Sequence, residues 1–147
     1  MVSPQSRSIQ HLRKQGFTVE VLERWIRFPS RKPPCRACGN AEMVSLRRDI
    51  VGCDLLAFSP MGILLVQVTS GANAASRMVK LLNDPEVAPK LLRWLKAGGA
   101  AAVHSWTLAG PRGERKTWTL RVQEITPQMI SVPNQAKVAV EDYGEES

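Results

Sequence analysis

Cysteine is scarce in this 147-residue chain: there are three, an odd number that builds no disulfide framework and fits a reducing compartment. Long hydrophobic runs are missing too. Runs such as Gly62 to Val66 are strand-sized and far below the about 18 residues a membrane span needs, so no membrane partner is expected. The opening stretch, MVSPQSRSIQHLRKQG, is polar and basic with no apolar segment, so no secretory signal is expected and the expected location is the cytoplasm. Internal repeats and low-complexity blocks are absent. What remains is ordinary globular material, 44% hydrophobic and 22% charged, which excludes disordered and collagen-like classes and has the length of one domain.

Acidic residues are thin where basic ones gather. Twenty Lys and Arg against thirteen Asp and Glu give a net charge of +7. Met1–Arg48 carries that whole excess, the middle third is nearly balanced, and the end (EDYGEES) is acidic. A basic surplus confined to one segment is an electrostatic footprint for a polyanion, usually nucleic acid. The plainer alternative is a solvated basic face with no partner.

Ser6–Gln15 has a short apolar stripe from Ile9 and Leu12, with Ser3 placed as N-cap, Pro4 as first helical residue and Gly16 as stop. Phe17–Ile26 is expected to form one strand with Val19, Val21 and Trp25 on one face. Residues 29–48 are expected to form a basic loop insertion, because Pro29, Pro33, Pro34 and Gly39 interrupt any pattern. Two strands follow, Asp49–Phe58 and Gly62–Ser70, joined by a hairpin-length link at Pro60. Helices are expected over Gly71–Asn83 and Val87–Ala97, and a closing hairpin over Ala100–Leu108 and Thr117–Ile125. The expected class is α/β with one mixed sheet, a single domain over 1–130 and a flexible acidic tail over 131–147.

Strand alternation supplies the main chemical inference. Asp54, Leu56 and Phe58 share one face; Ile63, Leu65, Gln67 and Thr69 share one face of the next strand. Asp54 and Gln67 flank the Pro60 turn almost symmetrically and are therefore neighbours. A carboxylate in so apolar a strand needs a cation or a hydrogen bond. Two hard oxygen donors suit Mg²⁺ or Mn²⁺. The simpler possibility is that the pair only hydrogen-bond each other at a strand end.

The order of helix, strand, Gly52-Cys53-Asp54 hairpin, Gln67-Val68-Thr69 strand and helix resembles the PD-(D/E)xK nuclease superfamily, in particular its small Holliday-junction-resolvase-like and phage-encoded members. The resemblance covers about Ser6 to Val103. It implies a restriction-endonuclease-like α-β-β-β-α-β core with an extra C-terminal hairpin, and a metal-dependent endonuclease acting on DNA, including branched DNA. A homodimer is implied by analogy with two-strand cleavage, and a host cytoplasm if the chain is phage-encoded. Asp54 stands at the family's first acid, while Gln67 replaces the second acid and Thr69 the lysine. Related enzymes place that cation on the following helix, where Arg77 and Lys80 lie on the same face as Asn73. Asp49 becomes a further metal carboxylate if Gly52 forms a bulge; Glu20 and Glu23 are weaker candidates. The alternative functions are a catalytically inactive nuclease fold that only binds DNA, and a module whose basic segment meets an acidic protein.

Cys35-Arg-Ala-Cys38-Gly resembles half of a zinc knuckle, but a structural zinc needs four ligands and only Cys53, His11 and His104 remain. An unliganded loop touching DNA is the rival reading. Trp25, Trp94 and Trp118 sit beside basic residues, as stacking on bases requires, although Trp25 and Trp106 are expected in the core. Phosphate contacts are expected from Arg7, Lys14, Arg47, Arg48, Arg112, Arg115 and Lys116. If Arg47 and Arg48 each neutralise a phosphate, replacing both with Ala flattens the slope of log affinity against log salt by about two, measured on duplex DNA by fluorescence anisotropy.

Overall fold

The computed structural model describes residues 2–131 apart from Asp49. Helix α1 (Pro4–Lys14) begins as its sequence dictates: the Ser6 N–H donates to Ser3 Oγ at 3.2 Å, and Pro4 takes the first position, where no amide hydrogen is needed. His11, Arg13 and Lys14 fill its last turn, where positive charge meets the negative end of the helix dipole. The strands are β1 (Thr18–Val21), β2 (Arg24–Pro29), β3 (Met43–Arg48), β4 (Leu55–Ser59) and β5 (Gly62–Ser70). After a short 3₁₀ turn come α2 (Ala74–Asn83), α3 (Val87–Lys96), β6 (Ala100–Ala109) and β7 (Thr117–Glu124).

Five strands form one mixed sheet in the order β1-β4-β5-β6-β7. All its neighbours are antiparallel except β5 and β6, whose parallel pairing requires the crossover that α2 and α3 provide. Because side chains alternate along a strand, β4 and β5 serve two cores. Leu55, Ala57 and Val66 pack with Leu12 of α1 and Val19 of β1. Leu65 packs on the other side with Leu81 of α2, Leu91 of α3, Val103 and Ile125. Full burial of Leu12, Leu55 and Leu91 contributes about 2 kcal/mol each. A helix on one face, two on the other and a mixed sheet between them make this an α/β protein, as expected. Among the described residues no helix is long and apolar enough to cross a membrane.

Four expectations change. The strand expected over Phe17–Ile26 breaks at Leu22 and Glu23: the Leu22 N–H ends the sheet ladder on Asp54 C=O at 2.8 Å, and the chain then leaves the sheet. Residues 29–48 are not all loop, since β3 pairs antiparallel with β2 as a separate two-stranded sheet. Trp25, expected in the core, lies on that ribbon and is 68% exposed. The strand expected from Asp49 begins only at Leu55, and the acidic tail falls outside the described residues except for its first, Ser131.

The contact of α1 with β6 holds a buried polar knot. Trp106 Nε1 donates to Ser8 Oγ at 2.8 Å, and Ser8 Oγ lies 3.2 Å from His104 Nδ1. With His104 neutral, Ser8 accepts from Trp106 and gives its own hydrogen to Nδ1. Burial, helped by His11 alongside, pulls the His104 pKa down to about 4. The unfolded chain therefore binds the proton first as pH falls, so this contribution is complete above about 6.5 and is lost toward pH 4. The urea midpoint is expected to drop across that window, and the drop is expected to shrink in His104→Gln.

Candidate active site

The site starts at a tight reversal before β4. The Cys53 N–H donates to Ile50 C=O at 3.0 Å, and Val51 and Gly52 both carry left-handed φ values, 55° and 69°. Two successive left-handed residues form a hairpin turn rather than the bulge expected at Gly52. For a β-branched residue such as Val51 this conformation is strained. Asp49, the proposed bulge carboxylate, lies outside the described residues. Gly52 also packs closely: a Cβ there would stand 2.9 Å from Leu81 Cδ2 and 3.1 Å from Val87 Cγ1.

The turn delivers Asp54 to the end of the β4–β5 ladder. Its N–H donates to Val66 C=O at 3.0 Å, which sets it beside Gln67, as the hairpin symmetry predicts. Asp54 Oδ2 accepts from Gln67 Nε2 at 2.9 Å and from the Val68 N–H at 3.0 Å. Gln67 Nε2 also donates to Val68 C=O at 3.1 Å, so both amide hydrogens are committed and Oε1 is left as the atom able to take a ligand. Gln67 is 5% exposed and Thr69, two residues on, is also buried.

Arg77 and Lys80, one turn apart on α2, meet Gln67 across a narrow cleft whose other walls are Gly52, Leu81 and Val87. Its volume is about 10 Å³, room for one water. Asn73, expected on the same helix face, caps α2 without a side-chain bond and lies outside the cleft walls. The structure thus brings Gln67, Arg77 and Lys80 to one cleft, and joins Asp54 to it through Gln67. Sequence reasoning missed the apolar wall of Leu81 and Val87; Leu81 had a signal, four residues after Arg77 on the same helix face, whereas Val87 comes from α3 and had none.

Two kinds of hard donor lie next to each other here: the Gln67 amide oxygen, whose side chain lines the cleft, and the Asp54 carboxylate, hydrogen-bonded to Gln67 beside it. They fit Mg²⁺ or Mn²⁺ only in the manner of an ion that keeps waters and substrate phosphates as its other ligands. Among the described residues no group of three His, Cys, Asp or Glu side chains converges on a metal position.

The remaining sequence candidates scatter. Arg7 lies on the opposite face of the sheet, its guanidinium 4.6 Å from the Trp118 ring centre, with a buried Nε that has no hydrogen-bond partner among the described residues. Lys14 is at the far end of α1. Arg112, Arg115 and Lys116 are exposed in the β6–β7 loop, beyond the end of the sheet where Gln67 and Thr69 lie. Arg47 and Arg48 are in β3. Cys35 and Cys38 are exposed, and the N–H groups of Cys38 and Ala37 bond the Cys35 sulfur and hold its pKa below the ordinary thiol value. Searched against protein-family models, curated proteins and solved structures, the chain has no match.

Gly52→Ala tests how tightly the turn is built. An alanine at φ 69° costs about 1–2 kcal/mol, and its methyl group collides with Leu81. A total loss of about 2 kcal/mol or more is expected in urea unfolding.

Proposed function

We propose that this chain is a metal-dependent DNA endonuclease with a restriction-endonuclease-like core of the PD-(D/E)xK kind. One convergence carries the reading: Asp54 and Gln67 sit side by side at 2.9 Å, and Arg77 and Lys80 stand on the helix that faces Gln67 across the cleft. The topology supports it. Strands β1, β4 and β5 run as an antiparallel meander, α2 and α3 cross over, and β6 joins β5 in parallel, the α-β-β-β-α-β order that the resemblance implies.

Asp54 and Gln67 would hold Mg²⁺ or Mn²⁺ through side-chain oxygens. When bound, such a cation supplies Lewis acidity to the scissile phosphate and acidifies a water. Gln67 brings no charge, so the site binds metal more weakly than a pair of acids would. Thr69 is neutral and buried and cannot replace the lysine of the motif. Arg77 and Lys80 provide that positive charge, aimed at a phosphate whose negative charge grows as the water attacks. Arg112, Arg115 and Lys116 extend the positive surface beyond the strand ends and position the backbone without reading sequence.

A second reading has its own observation. Both Gln67 amide hydrogens are used to tie Asp54 and Val68, which describes a structural clamp as well as a metal site. In that reading the fold binds DNA and does not cut it.

Cleavage of duplex, single-stranded and four-way-junction DNA in Mg²⁺, Mn²⁺ or EDTA separates the two. The expected result is cutting with either metal and none in EDTA. Asp54→Asn is expected to abolish cutting while DNA binding persists, and Lys80→Ala to slow it about 10²-fold, the scale of losing one transition-state charge partner. Gln67→Glu, which restores the superfamily's acid, is expected to tighten metal binding and keep or raise activity. Wild type that binds but never cuts leaves the clamp reading standing; an Asp54→Asn protein that cuts normally removes Asp54 from the chemistry.

A further inference from the structure

The β2–β3 ribbon is built for something that the cleft does not use. In an antiparallel pair, residues directly opposite share a face. Ile26 lies opposite Leu46 and Phe28 opposite Val44, so one face of the ribbon is a continuous apolar patch. Ile26, Leu46 and Phe28 remain 38%, 48% and 42% exposed. Arg27 and Ser45 lie on the other face with Trp25. A lone two-stranded ribbon is marginal in water, and an apolar face left open makes it worse.

Beyond the strands the ribbon tightens into a knuckle. The Ser30 N–H donates to Glu42 C=O at 2.7 Å, continuing the ladder. Further out, the Cys35 N–H donates to Asn40 C=O at 3.0 Å and the Gly39 N–H to Cys35 C=O at 2.8 Å, with Gly39 in the left-handed conformation at φ 69°. This closed turn holds both thiols at the surface, with two residues between them and backbone N–H groups directed at the first sulfur. Such a turn supplies two thiolates to one tetrahedral zinc, and a structural site needs two more ligands.

The described part of the chain cannot supply them. Cys53 is fully buried in the core beneath α2. His104 is buried under α1 with Nδ1 engaged by Ser8, and His11 stacks edge-on against it at 5.9 Å. We infer that Cys35 and Cys38 form half of a zinc site completed by Cys35 and Cys38 of a second copy of this chain, so that a four-thiolate zinc joins the tips of two ribbons whose apolar faces pack together. A twofold axis through the ion makes the two contributions equivalent. Four thiolates around Zn²⁺ carry a net charge of −2, and the exposed Arg31 and Arg36 beside the knuckle offset it. Binding releases one proton for each thiol that enters as thiol, with no change in oxidation state.

The test uses the full chain in a phosphine reductant, so that no disulfide forms, with zinc as the only added metal. Metal analysis and sedimentation equilibrium are expected to give one zinc per two chains and a dimer. A strong chelator is expected to remove the zinc and return the protein to monomer. Cobalt in place of zinc is expected to give the visible absorption of a four-thiolate tetrahedral site. Cys35→Ser with Cys38→Ser is expected to be monomeric and zinc-free, its far-UV circular dichroism showing that the main sheet is intact. Should that variant fail to fold, Leu46→Glu serves instead: it leaves the thiols in place and is expected to weaken the zinc dimer at least tenfold. One zinc per chain in a monomer, no zinc at all, or a dimer that survives loss of both thiols overturns the inference. None of these readouts depends on DNA cleavage.

Discussion

The reversal at Pro60 and Met61 sets Ser59 opposite Gly62, and every later pair of the β4–β5 ladder follows from that one. Leu56 then meets Leu65, Leu55 meets Val66, and Asp54 arrives beside Gln67. A slip of one residue would turn Leu65 and Gln67 toward α1 and Val66 toward α2. Two cores and the candidate site would be lost in the same step. The register is therefore held by the burial of apolar side chains on both faces, and the polar pair rides on it. Met61, 93% exposed at the turn, contributes nothing to that burial; the turn is positioned by the strands and by the Met61 N–H bond to Ser59 Oγ at 3.1 Å.

The parts of the fold legible in the sequence were those fixed by local rules. Ser3 and Pro4 mark the start of α1, the Gly62–Ser70 strand has the bounds expected of it, and the last hairpin agrees within a residue or two. What failed depended on distant partners. Nothing within Phe17–Ile26 shows that the chain must leave the sheet after Leu22, because the cause is the Asp54 carbonyl that ends the ladder. Met43–Arg48 is a strand only because β2 is there to pair with it. Trp25 was misplaced for the same reason, since its exposure follows from which sheet its strand joins. At the site, the Asp54–Gln67 pairing and the Arg77–Lys80 face were legible from hairpin symmetry and helical spacing. The direction of the Gln67 amide was not, because Val68 C=O and Asp54 Oδ2 decide it together.

Gln67 has a physical rationale of its own. A second carboxylate at that position would face Asp54 at hydrogen-bond distance, and two like charges so close drive one pKa up. The amide instead donates to Asp54 and keeps the ionised form satisfied without a cation. Arg77 and Lys80 then face a site with fewer negative charges, and the cleft as a whole leans positive, which favours a phosphate over a free divalent ion. Weak intrinsic metal affinity and a preference for anions belong to one arrangement. Under the proposed nuclease reading, a nucleic-acid substrate would have to complete any metal centre, its phosphates bringing the missing oxygen ligands.

The ribbon divides its two faces between tasks that do not compete. Covering Ile26, Phe28, Val44 and Leu46 leaves Trp25 and Arg27 in solvent on the other side, an exposed aromatic ring beside a guanidinium on a ribbon of the width that a major groove admits. Much of the basic surplus of the first third lies on this ribbon and its loop, so joining two copies would concentrate positive charge. Apolar burial therefore selects the side of the ribbon that carries Ile26 and Phe28 for self-association, and it leaves Trp25 and Arg27 exposed on the other side.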